Sequence, residues 1–90
     1  MSWVRYDSLM PYVVYILLCA DGTLYTGITT DLARRFAEHK AKKGAAYTAA
    51  HPVKKIAYSE ACASRGAALK REAEIKRLSR AKKLALIAGK

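Results

Sequence analysis

Two apolar runs on either side of an Asp-Gly pair constrain the fold of this chain more than any other feature. The run from Tyr12 to Cys19 (YVVYILLC) is rich in β-branched and aromatic residues and follows Pro11 directly. An apolar run this short favours a strand over a helix. The run from Thr23 to Ile28 resumes the same pattern, and the Asp21-Gly22 pair before it is a strong turn signal. The stretch therefore predicts an antiparallel hairpin.

The length of the hairpin loop decides what the two strands can build. A two-residue turn would put Tyr15 and Tyr25 on opposite faces of the hairpin. A three-residue loop, with Gly22 in a left-handed bulge, pairs Cys19 with Thr23 and puts both tyrosines on one face, because strand side chains alternate with period two. We predict the three-residue loop, since a site shared by the two tyrosines requires it.

A capped helix follows the hairpin directly. Thr30 or Asp31 can accept a backbone N–H at its start, as N-cap residues do. The helix is predicted to run from about Leu32 to Lys43, and Gly44 can end it.

One face of this predicted helix carries two polar side chains. Arg35 and His39 are four residues apart, so they lie one turn above each other. Arg34 points about 100° away from Arg35 and is interpreted as a surface partner of Glu38. An arginine and a histidine that meet two tyrosines on a hairpin indicate phosphate chemistry.

The rest of the chain predicts a third strand and two more helices. The segment AAYTAAHP is interpreted as a loop, and Val53–Ser59 as a strand, although its alternation is imperfect. Ser64 is predicted to cap a helix over about Arg65–Leu78, and Ser79 a last helix over Arg80–Ala88 that ends at Gly89. The expected fold is α+β, a small three-stranded antiparallel sheet flanked by three to four helices.

The predicted third helix places a carboxylate among apolar residues. With 3.6 residues per turn, Glu72 falls near the middle of an arc formed by Ala68, Leu69, Ala73 and Ile75. Such a carboxylate is costly to bury unless it meets a cation or hydrogen-bond donors. It therefore either pairs with an arginine or binds a metal ion. Glu74 points roughly the opposite way and is interpreted as a solvated partner of a nearby lysine.

The charge of the chain favours a polyanionic partner. Its 17 Lys+Arg against 7 Asp+Glu give a formal net charge of +10 in 90 residues. Such an excess attracts nucleic acid; a basic surface kept for solubility or for proximity to the ribosome is the alternative. Basic residues of the two C-terminal helices form the predicted phosphate-contacting surface, although the same charges also fit a solvated face: Lys70, Arg71, Lys76, Lys82 and Lys83.

Cysteine usage and hydropathy indicate a reduced compartment. Cys19 and Cys62 lack the spacing of a zinc site. No apolar run approaches the roughly 18 residues of a membrane span, and the segment MSWVRYDSLMPY lacks the features of a signal peptide. We expect a cytoplasmic protein without membrane contact. Its single domain covers residues 11–90, after an extension over residues 1–10 in which Met10 is an alternative start.

Taken together, these residues resemble the GIY-YIG nuclease superfamily. Its two signatures match Val13-Val14-Tyr15 and Tyr25-Thr26-Gly27. The arginine that follows the second signature corresponds to Arg35, and the tyrosine or histidine four positions further on corresponds to His39. The family's metal-binding glutamate corresponds to Glu72 in the segment ALKRE. The resemblance covers residues 11–88, and it is closest to the small stand-alone bacterial YhbQ-like branch.

The resemblance implies a role for each matched residue. Glu72 holds one divalent cation, Mg²⁺ or Mn²⁺, and Arg35 binds the phosphate. Tyr15 is the general base; because a phenol has a pKa near 10, we expect neighbouring positive charge to lower that pKa. Tyr25 orients water or hydrogen-bonds Tyr15, and His39 relays a proton.

The resemblance also implies a reaction and a partner. The expected function is metal-dependent hydrolysis of DNA phosphodiester bonds, selective for DNA structure and linked to repair. DNA is favoured over RNA, with no small-molecule cofactor, and the protein is expected to act as a monomer or weak homodimer. Tyr47, Thr48 and His51 lie in a polar loop that could touch substrate.

Two alternatives to catalysis remain open at this point. One is a non-catalytic nucleic-acid-binding module on the same fold, and the other is a small interaction protein. Ile28 stands where the repair-enzyme members carry a lysine, and the loop over residues 47–51 carries little positive charge. Both features favour the binding module.

Overall fold

The computed structural model describes residues 10–89 and confirms the predicted α+β fold with a three-stranded antiparallel sheet. The predicted extension over residues 1–10 lies, apart from Met10, outside the described residues. In chain order, the elements are β1 (Tyr12–Cys19), β2 (Leu24–Thr29), α1 (Leu32–Lys40), α2 (Ala46–Ala50), β3 (Val53–Cys62), α3 (Arg65–Lys76) and α4 (Arg80–Ile87).

The hairpin of β1 and β2 has the predicted three-residue loop. Cys19 donates its N–H to the carbonyl of Thr23 at 2.9 Å, and Gly22 has a left-handed φ of +86°. The pairing of Tyr15 with Gly27 and of Leu17 with Tyr25 follows from this loop. Tyr15 and Tyr25 therefore share one face of the sheet, as predicted.

β1 is the central strand, because the sheet order is β2–β1–β3. On one face, Val14 and Ile16 pack with Ala68 and Ile75 of α3. On the other face, Tyr15, Leu17 and Cys19 form a second cluster, against which Leu32 and Phe36 of α1 pack. Two small cores therefore lie back to back, with α3 on one side of the sheet and α1 on the other.

The third strand is longer than predicted. Val53–Ser59 was the expected range, and β3 extends to Cys62, which pairs with Tyr12. The register against β1 shifts between Ile16 and Leu17, and again between Leu18 and Cys19. These two irregularities account for the imperfect alternation of the sequence, because each extra residue resets which face the next side chain occupies.

Two predictions about the chain after α1 are wrong. The helix ends at Lys40 rather than Lys43, and Lys42 has a left-handed φ of +64° where Gly44 was expected to end the helix. The segment interpreted as a loop contains the five-residue helix α2, Ala46–Ala50, and the N-cap Ala45 makes no side-chain capping bond. The sequence therefore carries no capping signal for α2.

The other helix ends follow the sequence closely. Asp31, Ser64 and Ser79 each accept a backbone N–H at the start of α1, α3 and α4. α3 ends two residues earlier than predicted and α4 one residue earlier; Gly89, with φ +81°, follows α4. Among the residues that the structure describes, no helix has the length and apolarity that crossing a membrane requires.

Candidate active site

Tyr15 lies at the centre of the candidate site. Its side chain is buried in the middle of β1, with 1% of its surface exposed. The phenol ring crosses over Gly27 on the paired strand, where a Cβ atom would lie 2.5 Å from the Tyr15 hydroxyl oxygen. The glycine of the second signature is therefore needed because it leaves room for this phenol.

His39 binds the Tyr15 hydroxyl from α1. The distance from Tyr15 Oη to His39 Nε2 is 2.9 Å, and the His39 ring is also buried. Its other nitrogen, Nδ1, lies 2.6 Å from Thr48 Oγ1 on α2. Gly44 fits against the imidazole, since a Cβ there would approach Nδ1 to 2.6 Å. The histidine is thus held on three sides.

Burial sets the protonation state of both groups. It raises the pKa of the Tyr15 phenol; the Arg35 guanidinium opposes this shift, and the charges of Tyr25 and Glu72 add to it. The expected lowering of this pKa by positive charge is therefore wrong for the protein alone. Burial lowers the pKa of His39, and the positive charge of Arg35 lowers it further. At neutral pH the pair is a protonated phenol against a neutral imidazole.

Arg35 lies at the rim of this buried pair. Its Nη1 donates to Glu38 Oε1 at 2.9 Å and its Nη2 to the Gly44 carbonyl at 3.2 Å. The partner of Glu38 is therefore Arg35, not Arg34 as the helix spacing suggested, because residues at i and i+3 are also neighbours on a helix surface. About a third of the Arg35 side chain stays exposed, so a phosphate can reach it.

Tyr25 connects the site to a column of aromatic rings. Its ring centroid lies 5.2 Å from that of His39 and 5.8 Å from that of Tyr47. The Tyr47 ring stacks on the His51 ring, with 4.1 Å between their centroids. His51 Nδ1 lies 2.7 Å from Asp21 Oδ2 at the hairpin tip. The Tyr15 hydroxyl forms its hydrogen bond with His39. Tyr25 instead faces Tyr15 through its ring, with 6.5 Å between the two ring centroids.

Glu72 stands on α3, on the other side of the sheet from α1. It stands on α3 between Ala68 and Ile75, which are buried, whereas Leu69 and Ala73 are exposed, contrary to the predicted arc. Its side chain is 19% exposed, and Oε2 lies 3.3 Å from Lys76 Nζ. The paired cation is therefore a lysine one turn away rather than an arginine. The negative charge of Glu72 still contributes to the raised pKa of Tyr15, after burial and Tyr25.

The donor set around Glu72 fits a hydrated cation held by one carboxylate. Within residues 10–89, no group of three or more His, Cys, Asp and Glu side chains could enclose a metal ion. Mg²⁺ usually keeps several waters and binds through one or two carboxylates plus substrate phosphates. A single, partly exposed carboxylate such as that of Glu72 matches this coordination.

The predicted phosphate-contacting surface divides into free and paired residues. Lys70 and Lys82 are exposed and Lys83 is half-buried, whereas Lys76 is exposed and paired with Glu72. Arg71 differs from the four lysines, because its Nε lies 3.1 Å from Glu60 Oε1 and its Nη1 3.4 Å from Glu74 Oε1. The Glu74 partner is therefore this arginine rather than a lysine, since α3 brings the two side chains together at i, i+3.

The structure thus brings Tyr15, Tyr25, Arg35 and His39 together on one face of the sheet, and the Glu72 charge acts on the same phenol. Sequence reasoning gave no structural role to Thr48 beyond possible substrate contact, and it treated Asp21 only as a turn residue. The one available signal for Thr48 was its hydroxyl in a polar segment close after His39.

Comparison with known proteins identifies the family of the chain. The profile described as the GIY-YIG catalytic domain matches residues 11–85. A UPF0213 protein of Natronomonas pharaonis is 52% identical over 77 residues, which cover 86% of this chain and 91% of that protein. A UPF0213 protein of Desulfotalea psychrophila is 51% identical over 77 residues, covering 84% of this chain and 70% of that protein.

A solved structure supports the same assignment. The solution NMR structure of a UPF0213 protein from Bacillus halodurans has a TM-score of 0.57 and 44% sequence identity, and the match covers 88% of this chain and 84% of that one. The fold and the site define a small nuclease-type domain. The chain belongs to the GIY-YIG family and is similar to the UPF0213 proteins.

Proposed function

We propose that the protein is a metal-dependent endonuclease that hydrolyses phosphodiester bonds of DNA. The observation that carries the proposal is the buried hydrogen bond between the Tyr15 hydroxyl and His39 Nε2. A neutral imidazole against a protonated phenol is a proton acceptor for that phenol, and general acid–base catalysis needs such a pair. Any acceptor would satisfy the hydroxyl of a tyrosine that served packing alone, whereas an imidazole can also take up the proton near neutral pH.

The proposed roles of the residues follow from their positions. Tyr15 takes a proton from the attacking water while its own proton passes to His39 Nε2. Arg35 presents its planar guanidinium to the non-bridging phosphate oxygens, for which its exposed part is available. Tyr25 holds the rings of Tyr15 and His39 in place through its contacts with both.

Glu72 is the proposed ligand for one Mg²⁺ or Mn²⁺ ion. When bound, such an ion supplies Lewis-acid polarisation of the phosphate and stabilises the leaving 3′ oxygen. Lys76 is 3.3 Å from the carboxylate and would exchange this partner for a phosphate when the cation binds. This dual pairing places Lys76 in both the metal site and the nucleic-acid surface.

The proposed substrate is DNA with unpaired or distorted nucleotides. Two features support it: the column of stacked rings beside the site, in which Tyr47 is 37% exposed, and the basic helices α3 and α4. Aromatic rings stack on unpaired bases without sequence preference, and exposed lysines contact phosphates. Such selectivity would suit a role in DNA repair. We further propose a monomer or weak homodimer in the cytoplasm, where the buried thiols of Cys19 and Cys62 stay reduced.

The test is a cleavage assay on single-stranded, duplex, nicked and branched DNA, with Mg²⁺ and separately with Mn²⁺. We expect Glu72→Ala to lose metal-dependent cleavage and to keep binding of DNA. Glu74→Ala is the matched control, because Glu74 is two residues away on the same helix and pairs with Arg71 instead. Equal cleavage by wild type and Glu72→Ala would contradict the assigned role of Glu72.

The second candidate is a non-catalytic nucleic-acid-binding module. Ile28 stands next to the second signature, where a basic residue is expected. It favours the binding module because the site then has one positive charge fewer to bind the phosphate. Salt-dependent binding without cleavage, under both metals and for every substrate, would favour this module over the nuclease.

A further inference from the structure

Thr48 sits at the end of a buried hydrogen-bond chain that begins at Tyr15. Its side chain is fully buried, and its hydroxyl oxygen lies 2.6 Å from His39 Nδ1. The same hydroxyl lies 3.2 Å from the carbonyl oxygen of Ala45, to which it can only donate. A threonine has one hydroxyl hydrogen. If that hydrogen goes to Ala45, the Thr48 oxygen must accept from His39 Nδ1–H.

The Tyr15 end of this hydrogen-bond chain gives the same assignment of donors and acceptors. Among residues 10–89, the one acceptor within hydrogen-bond distance of the Tyr15 hydroxyl is His39 Nε2. The neighbouring Arg35 guanidinium can only donate, so the phenol hydrogen finds its acceptor at Nε2. Nε2 is then bare, and in a neutral imidazole the proton must be on Nδ1.

The opposite direction fails at the Tyr15 end. If Thr48 donated to Nδ1 and Nε2–H donated to Tyr15, the phenol hydrogen would have no acceptor among the described residues, and the bond to Ala45 would be lost. Buried donors without acceptors are rare because each costs the full desolvation of the group.

We propose that Thr48 is a positioning residue that holds neutral His39 in the Nδ1–H tautomer, with its bare Nε2 facing the Tyr15 hydroxyl. The tautomer of a histidine is set by the hydrogen bond that its other nitrogen makes. A histidine free in water prefers the opposite tautomer, so a dedicated acceptor is needed here. α2 supplies that acceptor, which gives this short helix, absent from the sequence prediction, a role in the site.

The consequence for catalysis rests on the function proposed above. When Tyr15 takes a proton from water, its own O–H bond breaks and a bond from that proton to Nε2 forms. His39 becomes a cation with two N–H groups, and its Nδ1–H already points at the Thr48 oxygen. In the other tautomer, Nε2 carries a hydrogen and cannot accept the proton.

The tautomer can be measured without any activity, by the ¹⁵N chemical shifts of the two imidazole nitrogens in long-range ¹H–¹⁵N NMR spectra. The chain has two histidines, so a His51→Gln variant used only for assignment identifies the signals of His39. We expect wild-type His39 at neutral pH to show a protonated Nδ1 and a bare Nε2. A protonated Nε2 in the wild type would overturn the proposal, and this test needs no variant of Thr48 to fold.

Thr48→Val keeps the volume of the side chain and removes the acceptor, while Thr48→Ser keeps the hydroxyl. The Ala45 carbonyl keeps its bond from the Ala49 N–H in either variant. We expect Thr48→Val to switch His39 to the Nε2–H tautomer, and Thr48→Ser to restore the wild-type pattern. An unchanged tautomer in a folded Thr48→Val protein would overturn the proposal.

The kinetic consequence is a loss in kcat rather than in substrate binding. We expect Thr48→Val to lower kcat about 10- to 100-fold, at or below the lower end of the range for general acid–base catalysis because the general base itself remains. KM should stay within about twofold, and Thr48→Ser should recover most of the rate. A wild-type kcat in Thr48→Val would refute the positioning role. If the wild-type protein cleaves no DNA at all, the proposed nuclease function fails, while the NMR result still decides the tautomer.

Discussion

The close approach of Tyr15 to Gly27 makes a single added methyl group a sharp test of the site. In Gly27→Ala, the new Cβ would lie 2.5 Å from the Tyr15 hydroxyl oxygen, 2.8 Å from Cζ and 3.2 Å from Tyr25 Cε2, where ordinary contacts begin at 3.4 Å. The phenol would have to retreat by about 0.9 Å. It cannot retreat freely, because His39 holds its oxygen at 2.9 Å from the other side.

Two effects of this displacement can be estimated. Adding a methyl group to a packed interior typically costs about 1–3 kcal/mol of unfolding free energy. A misplacement of a catalytic group by about 1 Å can cost about 100-fold in rate. We therefore expect Gly27→Ala to lose about 2 kcal/mol of unfolding free energy. Its cleavage rate should fall by at least 90%, a smaller loss than the roughly 100-fold that the displacement could cause.

The two effects are measured by urea denaturation and by single-turnover cleavage of the preferred DNA substrate. Gly66→Ala is the matched control, because Gly66 lies in α3 and a Cβ there meets nothing within 4 Å. Alanine in an open helical position is expected to stabilise by up to about 1 kcal/mol. If Gly27→Ala unfolds at the wild-type urea concentration and cleaves at the wild-type rate, the phenol does not lie over Gly27 as described.

Three further predictions concern charge and capping. Hydrogen bonds from Thr23, and to a lesser extent from His51, hold the pKa of the Asp21 carboxyl well below its ordinary value of 3.8. The stability that these bonds contribute is present above pH 3.8 and is lost as the pH falls towards the pKa of the folded state. Asp21→Asn should therefore lower the melting temperature at pH 6, with a difference from wild type that shrinks below pH 4. A constant difference would argue against stabilisation by the ionised Asp21 carboxylate. Asp31→Ala should remove about 1 kcal/mol of unfolding free energy in urea, because the N-cap of α1 is lost, and an unchanged midpoint would mean that the cap contributes nothing. DNA affinity should fall linearly with salt on logarithmic axes, and replacing Lys82 and Lys83 by alanine should reduce the slope by about 1.4 for single strands; an equal slope would exclude both from the phosphate surface.

The hairpin was predicted correctly because the face of each tyrosine depends on whether the number of loop residues is odd or even. Only an odd number of loop residues lets Tyr15 and Tyr25 share a face, and Gly22 supplies the left-handed residue that such a loop uses. The faces of α1 were equally accessible from spacing, since residues four apart on a helix always align. These features depend on local geometry, which the order of residues determines.

What the sequence did not predict depends on contacts between distant segments. Lys42 adopts a left-handed conformation that few non-glycine residues adopt, so the end of α1 could not be placed. Gly44 is needed for a different reason, its contact with the His39 ring. The five residues of α2 have no capping side chain, and this helix is held by tertiary bonds of Thr48.

The helical position of Glu72 identified it as a candidate site residue, but it did not identify the residue that pairs with it. The arc around Glu72 suggested an arginine or a metal ion, and Lys76 pairs with it because an i, i+4 lysine can reach back along the helix. The pKa of Tyr15 was likewise misjudged, because desolvation depends on burial that a sequence does not display.

The position of α3 on the far side of the sheet has a consequence for how activity arises during folding. The β1–β2 hairpin and α1 are contiguous in sequence, so they can form early from local contacts, and they already carry Tyr15, Arg35 and His39. Glu72 joins only when α3 packs against Val14 and Ile16 on the opposite face. Under the proposed function, a partly folded chain with this net positive charge would bind nucleic acid without cleaving it. Cleavage would therefore report completed folding of both layers, whereas binding would not.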